Sequence, residues 1–310
     1  MHGISMAGLL LMLLQEPAPD RLTVQHLGRT AITVKREDYR LPVIPLYDPY
    51  RFDRLADELE RRIYLAPSDA RIGPSGEIVK EKPGSKLNRP AFADLFSAYY
   101  YGSGPDAFEA PTLPVYAKVD SELLAAIREK PIGYYVTYYN TGNRNRSHNI
   151  ALAAKAIDGT VVFPGESFSF NRTVGMRTPQ RGYLQAPVIV RGELSEDIGG
   201  GICQVSSTLF NAIDRAGMKI KERYSHSRHV PYVLPGRDAT VSWGGPDFVF
   251  ENPYNQPALI RASASDGRMV VMIYSSELIE YKPRNVPGMS SRLPQEISLK
   301  TGARSGFGRG

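Results

Sequence analysis

The residues best suited to covalent chemistry stand in the run Gly199-Gly200-Gly201-Ile202-Cys203-Gln204, which leads into a segment of helical periodicity. Val205, Leu209, Ala212, Ile213 and Ala216 share one face and Gly217 suits the C′ position, so the spacing predicts a helix from Val205 with Cys203 at its N-terminus. First-turn amides and the positive end of the helix dipole favour an anion there, which stabilises a thiolate and makes the sulfur more nucleophilic at neutral pH. Three glycines before it permit positive φ and close backbone approach, as both a nucleophile-presenting turn and an oxyanion hole of backbone amides require. The competing reading of a lone cysteine behind a glycine turn is a small buried hydrophobe. An unpaired thiol is a liability in an oxidising compartment, which weighs toward use. A phosphate-binding loop is excluded because no Lys-Ser or Lys-Thr pair follows the glycines.

A cysteine nucleophile needs a base, and the chain holds five histidines, His2, His26, His148, His226 and His229. His226 and His229 lie in a polar stretch shortly after the Cys203 helix, where a returning segment can bring one imidazole to the thiol; His148 opens an earlier helix. Each of the three also reads as a surface or capping histidine. Asp238, in PGRDATVSW, can orient such an imidazole or simply occupy the turn after Gly236-Arg237. His226-x-x-His229 is a poor zinc site, since a catalytic zinc wants three protein ligands and nothing nearby has matching spacing, so neither metal nor cofactor is expected. Arg172, Arg177 and Arg181 precede the glycines and can hold a substrate carboxylate by bidentate pairing, such as a peptide ending in D-Ala or bearing a diamino-acid carboxylate offers. A solvated loop is the alternative for at least one of them. Tyr183, Trp243 and the tyrosines between Tyr134 and Tyr139 can line a groove or pack on strands.

Two regions must position these groups. The chain has 310 residues, 42% hydrophobic and 23% charged, which fits about two globular domains and excludes a disordered, collagen-like or polytopic membrane protein. Cys203 is the sole cysteine, so neither an intrachain disulfide nor a Cys-rich zinc site exists. Residues 21–125 read as a small α+β module: alternation over Leu22–Val34, a helix over Asp53–Ile63, short strands around Gly73, Pro74 and Gly76, a helix over Pro90–Tyr100, and a strand over Thr112–Val119. Asp120–Arg128 reads as a linking helix. Residues 133–280 read as a mainly β body carrying two helices, one capped by Ser147 and the other bearing Cys203. Its strands are expected at YYVTYYN, VVFPG, FSFN, APVIVRG, YVLPG, ATVSW, FVFEN, ALIRASAS and RMVVMIYS. The fold class is therefore α+β.

The ends differ from the body. An apolar run over Met6–Leu14 is too short to span a bilayer and long enough for a signal h-region, so residues 1–20 read as a signal or anchor remnant. No Lys or Arg precedes that run and no small-x-small site follows it, which leaves a buried N-terminal helix as the alternative. Residues 281–310 read as a basic flexible tail: from Lys282 onward they carry +5 of the formal +6. Such a tail fits attraction to an anionic polymer and supplies no base-reading element, so nucleic acid is not an expected partner.

With these motifs in view, residues from about Asn143 to Ala264 resemble the VanW-like family, through NRSHNIALAA, FPGESFSFN, VGMRTPQRGYLQAPVI, GGGICQVSSTLFNA, ERYSHS and PGRDATVSW. The stretch from about Tyr50 to Val119, with DARIGPSGEIVKEKPGSKLN, resembles the peptidoglycan-binding module that often precedes such domains. The resemblance implies a cysteine acyl-transfer enzyme of peptidoglycan, an L,D-transpeptidase that forms 3-3 cross-links through a Cys203 thioester. It assigns His226 as base, with His229 or His148 as alternatives, and Asp238 as its orienting partner. Gly200, Gly201 and Gln204 would form the oxyanion hole, and Arg177, Arg181, Tyr183 and Trp243 would bind substrate. Expected partners are stem peptides and glycan, with anionic wall polymers on the basic tail and membrane contact only through an N-terminal anchor. The expected location is extracytoplasmic, at a bacterial cell wall. Two other functions fit the same motifs: a noncatalytic wall-binding or glycopeptide-resistance accessory protein, and a cysteine peptidase of stem peptides that uses water as acceptor. A complete third module of the G5 type, common in such proteins, is not expected in residues 288–310.

Overall fold

The computed structural model describes residues 20–190 and 193–290. The apolar N-terminal run and the far end of the basic tail lie outside these residues. In chain order the first elements are β1 (Arg21–His26), β2 (Arg29–Lys35), α1 (Pro49–Ile63), β3 (Arg71–Ile72), β4 (Ile78–Val79), β5 (Gly84–Leu87), α2 (Arg89–Tyr100), β6 (Ala107–Glu109) and β7 (Thr112–Val115). There follow α3 (Ser121–Ile127), β8 (Lys130–Tyr138), α4 (Arg144–Ile157), β9 (Val161–Val162), β10 (Ser167–Ser169), α5 (Phe170–Val174), β11 (Gln185–Val190) and β12 (Glu193–Ile198). The last are α6 (Ile202–Arg215), β13 (Lys219–Glu222), β14 (Val249–Glu251), β15 (Ala258–Ser265) and β16 (Arg268–Ser275). The class is α+β, as the sequence pattern predicts. Two compact units are present, one from residues up to Ala70 with Lys80–Asp120, the other from Arg71–Val79 with residues from Ser121 onward.

In the first unit β1 pairs antiparallel with β2 and parallel with β6. Helix α1 begins earlier than its periodicity predicts, because Asp48 caps it by accepting from the Tyr50 amide at 2.9 Å and Pro49 tolerates the first turn. Asn88 caps α2 in the same way, accepting from Ala91 at 3.3 Å. Leu22 and Val24 of β1, Leu55 and Leu59 of α1, and Phe92, Phe96 and Tyr99 of α2 form the core.

The second unit is built on a four-stranded antiparallel sheet in the order β8-β16-β15-β9. Along β16, Met269, Val271, Ile273 and Ser275 are buried and alternate with half-buried or exposed neighbours, the period-2 signature of a strand with one packed face. Helix α6 lies against β8 and β16, and α4 against β15. A second sheet, β10-β14-β13, and the β11–β12 hairpin, whose β11 lies against α4, complete the unit. Besides the two long helices expected, the unit carries α3 and the short α5.

Several local expectations are corrected. Ser147 does not cap α4: Asn143 does, accepting from the Arg146 amide at 3.0 Å, while the Ser147 hydroxyl donates back to Asn143 O at 2.8 Å. YVLPG and ATVSW form no strand beyond a single Tyr224–Thr240 bridge: the Ala239 backbone of ATVSW is bound to Ser206 and Ser207 of α6 instead, and YVLPG ends in a turn closed by Arg237 N donating to Leu234 O. Residues 281–290 are not free tail. Val286 is buried, Pro287 O accepts from the Tyr135 hydroxyl at 3.2 Å, and Arg284 reaches Asp214 at 2.7 Å. Among the described residues no helix is long and apolar enough to cross a membrane.

Candidate functional site

Cys203 is the second residue of α6, which begins at Ile202 rather than Val205. The start is fixed by Gly201, whose φ of +104° strains any other residue. A Cβ there would also stand 2.9 Å from Ile150 Cγ1 and 3.0 Å from Arg146 Cγ. Asn149 on α4 holds the glycine turn from below: its Nδ2 donates to Gly200 O at 3.1 Å and to Leu184 O at 2.8 Å, and its Oδ1 accepts from Leu184 N at 2.8 Å. The amides of Gly200, Gly201 and Cys203 have no hydrogen-bond acceptor among the described residues, which is what donors to a developing oxyanion require.

Opposite the thiol runs the irregular segment from Arg237 to Val241. Its backbone is strapped to α6 by side chains: Asn211 Nδ2 donates to Arg237 O at 2.8 Å, Ser207 Oγ accepts from Ala239 N at 2.9 Å, and Ser206 donates to Ala239 O. Arg223 binds the carbonyls of Gly236 and Asp238 from the far side, at 2.9 and 2.8 Å. The segment thereby sets Thr240 Oγ1 3.8 Å and Val241 O 3.5 Å from the Cys203 sulfur.

Asp238 faces His226. One carboxylate oxygen accepts from both the His226 amide and its Nδ1, each at 2.6 Å, and both side chains are almost fully buried. With Nδ1 committed to the carboxylate, the hydrogen bond between the imidazole and the Cys203 thiol falls to Nε2. Sulfur, imidazole and carboxylate thus form one chain from the helix start to the 237–241 segment.

Burial opposes every charge in that chain, yet mutual attraction prevails. For Cys203, burial pushes the thiol up, but the His226 imidazole, with smaller contributions from Val241 and Thr240, holds it below the ordinary thiol value. For His226, burial pulls down and the partners Cys203 and Asp238 raise it, with a net rise. Asp238 is pushed up by burial and down by its two bonds from His226, and ends below the ordinary carboxylate value. The three shifts all run in the direction that favours a thiolate–imidazolium pair beside an ionised carboxylate, the arrangement a nucleophilic cysteine requires.

The remaining residues singled out by sequence separate clearly. Gln204 is corrected: its amide donates to Gly201 O at 3.0 Å and its side chain is spent on Arg146, Thr137 and Tyr138, so it lends the oxyanion hole nothing. Its role is to tie α6 to α4 and β8. His148 Nε2 donates to Gly182 O at 2.9 Å and His229 is exposed, so His226 alone of the three faces the thiol. Tyr183 belongs to the core at 2% exposure rather than to a groove wall, whereas Trp243 is half exposed two residues beyond Val241. Arg181 folds back on Met176 O at 3.1 Å and Arg172 on Ser167 O at 3.1 Å, both exposed. Arg177 is half-buried beside the glycine turn, with both terminal nitrogens of its guanidinium buried.

Sequence reasoning missed Thr240, Asn149 and the polar face of α6. Ser206, Ser207, Thr208 and Asn211 drew no reading from the sequence, yet with Gln204 all are fully buried and all are bonded. The legible signal was their type: short hydroxyl and amide side chains without a single Lys or Glu, unlike a helix surface that meets water. Among the described residues no cluster of three or more His, Cys, Asp or Glu is placed to hold a metal ion.

Comparison with known proteins bears on this site. The family model described as VanW like protein matches residues 145–274, which contain every member of the Cys203, His226 and Asp238 chain. The uncharacterized protein YoaR of Bacillus subtilis (strain 168) is 53% identical over 302 residues, 97% of this chain and 100% of its own length. The vancomycin B-type resistance protein VanW of Enterococcus faecalis (strain ATCC 700802 / V583) is 30% identical over 152 residues, 45% of this chain and 54% of its own. No solved structure matches.

Proposed function

The chain belongs to the VanW-like family, and from that premise we propose that it acts on peptidoglycan as a cysteine-dependent acyltransferase, working outside the cell membrane. The observation that carries this reading is the His226 imidazole held between Asp238 and the Cys203 thiol. The glycopeptide-resistance name borne by the Enterococcus faecalis relative supports a cell-wall substrate.

In the proposed reaction the Cys203 thiolate attacks the carbonyl of the third stem residue. The free amides of Gly200, Gly201 and Cys203 take the negative charge that gathers on the carbonyl oxygen. Collapse breaks the C–N bond to the terminal D-Ala, and protonated His226 gives its Nε2 proton to the departing amine. A thioester on Cys203 remains. An amine of a neighbouring stem then attacks, neutral His226 takes its proton, and the thiolate leaves, which restores the starting pair and yields a 3-3 cross-link. Asp238 stays ionised throughout and keeps Nε2 toward the sulfur. Water in place of the amine makes the same site a peptidase, so the acceptor decides between the two.

The test is product analysis. Protein lacking residues 1–19 is incubated with a disaccharide tetrapeptide, beside Cys203→Ala. Dimers joined between two third residues, absent with Cys203→Ala, are expected; trimmed monomers alone would assign a peptidase, and no Cys203-dependent product would overturn the reading.

A further inference from the structure

Arg177 is the outstanding unexplained group near the thiol. Its Cβ and Cγ lie 3.2 Å from where a Cβ on Gly199 would stand, so its stem packs on the first glycine of the turn that presents Cys203. Its guanidinium carbon lies 5.8 Å from the Phe170 ring centroid. Both terminal nitrogens, Nη1 and Nη2, are buried and have no hydrogen-bond partner. Among the described residues no carboxylate forms an ion pair with it. The acid nearest in influence, Asp247, spends its oxygens on the Ser169 hydroxyl and the amides of Asn171 and Phe248. An arginine stays protonated in proteins, and burying its fork without acceptors costs several kcal/mol unless something else supplies them. Neighbouring Arg172 and Arg181 show the ordinary alternative, an exposed head bonded to a nearby carbonyl.

We infer that Arg177 is a carboxylate-binding residue beside Cys203, taking both oxygens of a free carboxylate on the acyl donor with Nη1 and Nη2. Resting as it does on the acyl-transfer reading, this restricts the donor class. The neutral amides at the glycine turn suit the carbonyl oxygen, whereas a guanidinium fork suits a full planar anion. An interior peptide bond offers no such group, so the donor is a peptide that carries a free carboxylate within about one residue of the bond to be broken.

The test uses two small alkylating agents on the same sulfur, anionic iodoacetate and neutral iodoacetamide; in each case an S–C bond forms and iodide departs. The iodoacetate to iodoacetamide rate ratio is measured at fixed pH and ionic strength for wild type, Arg177→Gln and Arg177→Lys. A wild-type preference for iodoacetate that saturates with concentration is expected. It should fall about tenfold in Arg177→Gln, with the iodoacetamide rate kept within about twofold, and be partly retained in Arg177→Lys. An unchanged ratio in Arg177→Gln would overturn the inference and assign any anion preference to the His226 imidazolium. Should Arg177→Gln fail to fold, wild type decides: sodium acetate, but not acetamide, must protect Cys203 from iodoacetamide at constant ionic strength, and equal protection would refute the subsite. Failure of acyl transfer with every donor, beside an Arg177-dependent ratio, would sink the proposed reaction while leaving the anion subsite in place.

Discussion

Asp238→Asn is the substitution that most sharply separates a working Cys–His pair from a packed thiol. The change keeps the shape of the side chain and removes its charge at a position only 6% exposed. In the native protein one oxygen receives the His226 amide and the imidazole Nδ1, both at 2.6 Å. A buried hydrogen bond between two ionised groups contributes about 3 kcal/mol and a neutral one about 1, so about 2 kcal/mol that favours the imidazolium is lost. That equals about 1.5 pKa units, or about a thirtyfold change in equilibrium. His226 should titrate lower and Cys203 higher by that order, because the pair is mutually stabilised. The weakened bond to the backbone amide adds about 1 kcal/mol of lost stability. Iodoacetamide alkylation of Cys203, followed by intact mass from pH 5 to 10, reads the thiolate fraction directly. In wild type the acid limb should lie below the ordinary thiol range, since His226 lowers the Cys203 thiol. In Asp238→Asn the acid limb should move to higher pH, with a rate about thirtyfold lower wherever thiolate is the minor form. Acid limbs that superimpose within about threefold would refute the charge coupling on which the site is built.

Other perturbations follow from the same geometry. Gly201→Ala places a Cβ at φ +104° and 2.9 Å from Ile150 Cγ1, which should cost about 1–3 kcal/mol and slow alkylation by displacing the start of α6; a melting temperature unchanged within about 1 °C would contradict this. Gln204→Leu removes the bonds to Arg146, Thr137 and Tyr138 from a fully buried position and should destabilise by about 2–4 kcal/mol in denaturant unfolding, an outcome a surface glutamine would not give. His148→Ala and His229→Ala should leave the pH profile of Cys203 alkylation in place, since neither imidazole meets the sulfur; a shifted profile in either would reassign the base.

How far the sequence reached depends on where short-range rules operate. Cys203 at a helix start was readable because apolar spacing and a glycine triplet are local features, and both regions were readable as α+β from periodicity. Helix starts were less so: α1 and α4 begin at Asp48 and Asn143 caps that lie outside the apolar stripe. The segment from Arg237 to Val241 was the larger miss. ATVSW has the composition of a strand, yet the backbone groups of Arg237 and Ala239 are satisfied by Asn211, Ser206 and Ser207 across some thirty residues of chain, long-range bonds that no window of sequence reveals. The same fact explains why a polar helix face was invisible as core. Residues 281–290 misled in the opposite way, since their Pro-rich, basic character reads as tail while Val286 is buried against the second unit. The preference among three histidines came from the family resemblance rather than from spacing; the contact itself is tertiary.

The measurement that bears most directly on the proposed chemistry is intact-mass spectrometry of the protein after brief exposure to a disaccharide tetrapeptide. Acyl transfer through Cys203 predicts a mass gain equal to the donor less its terminal D-Ala, located to the Cys203 peptide, absent in Cys203→Ala, and discharged on adding an acceptor amine. Substrate turnover with no adduct, or an adduct that persists in Cys203→Ala, would contradict it.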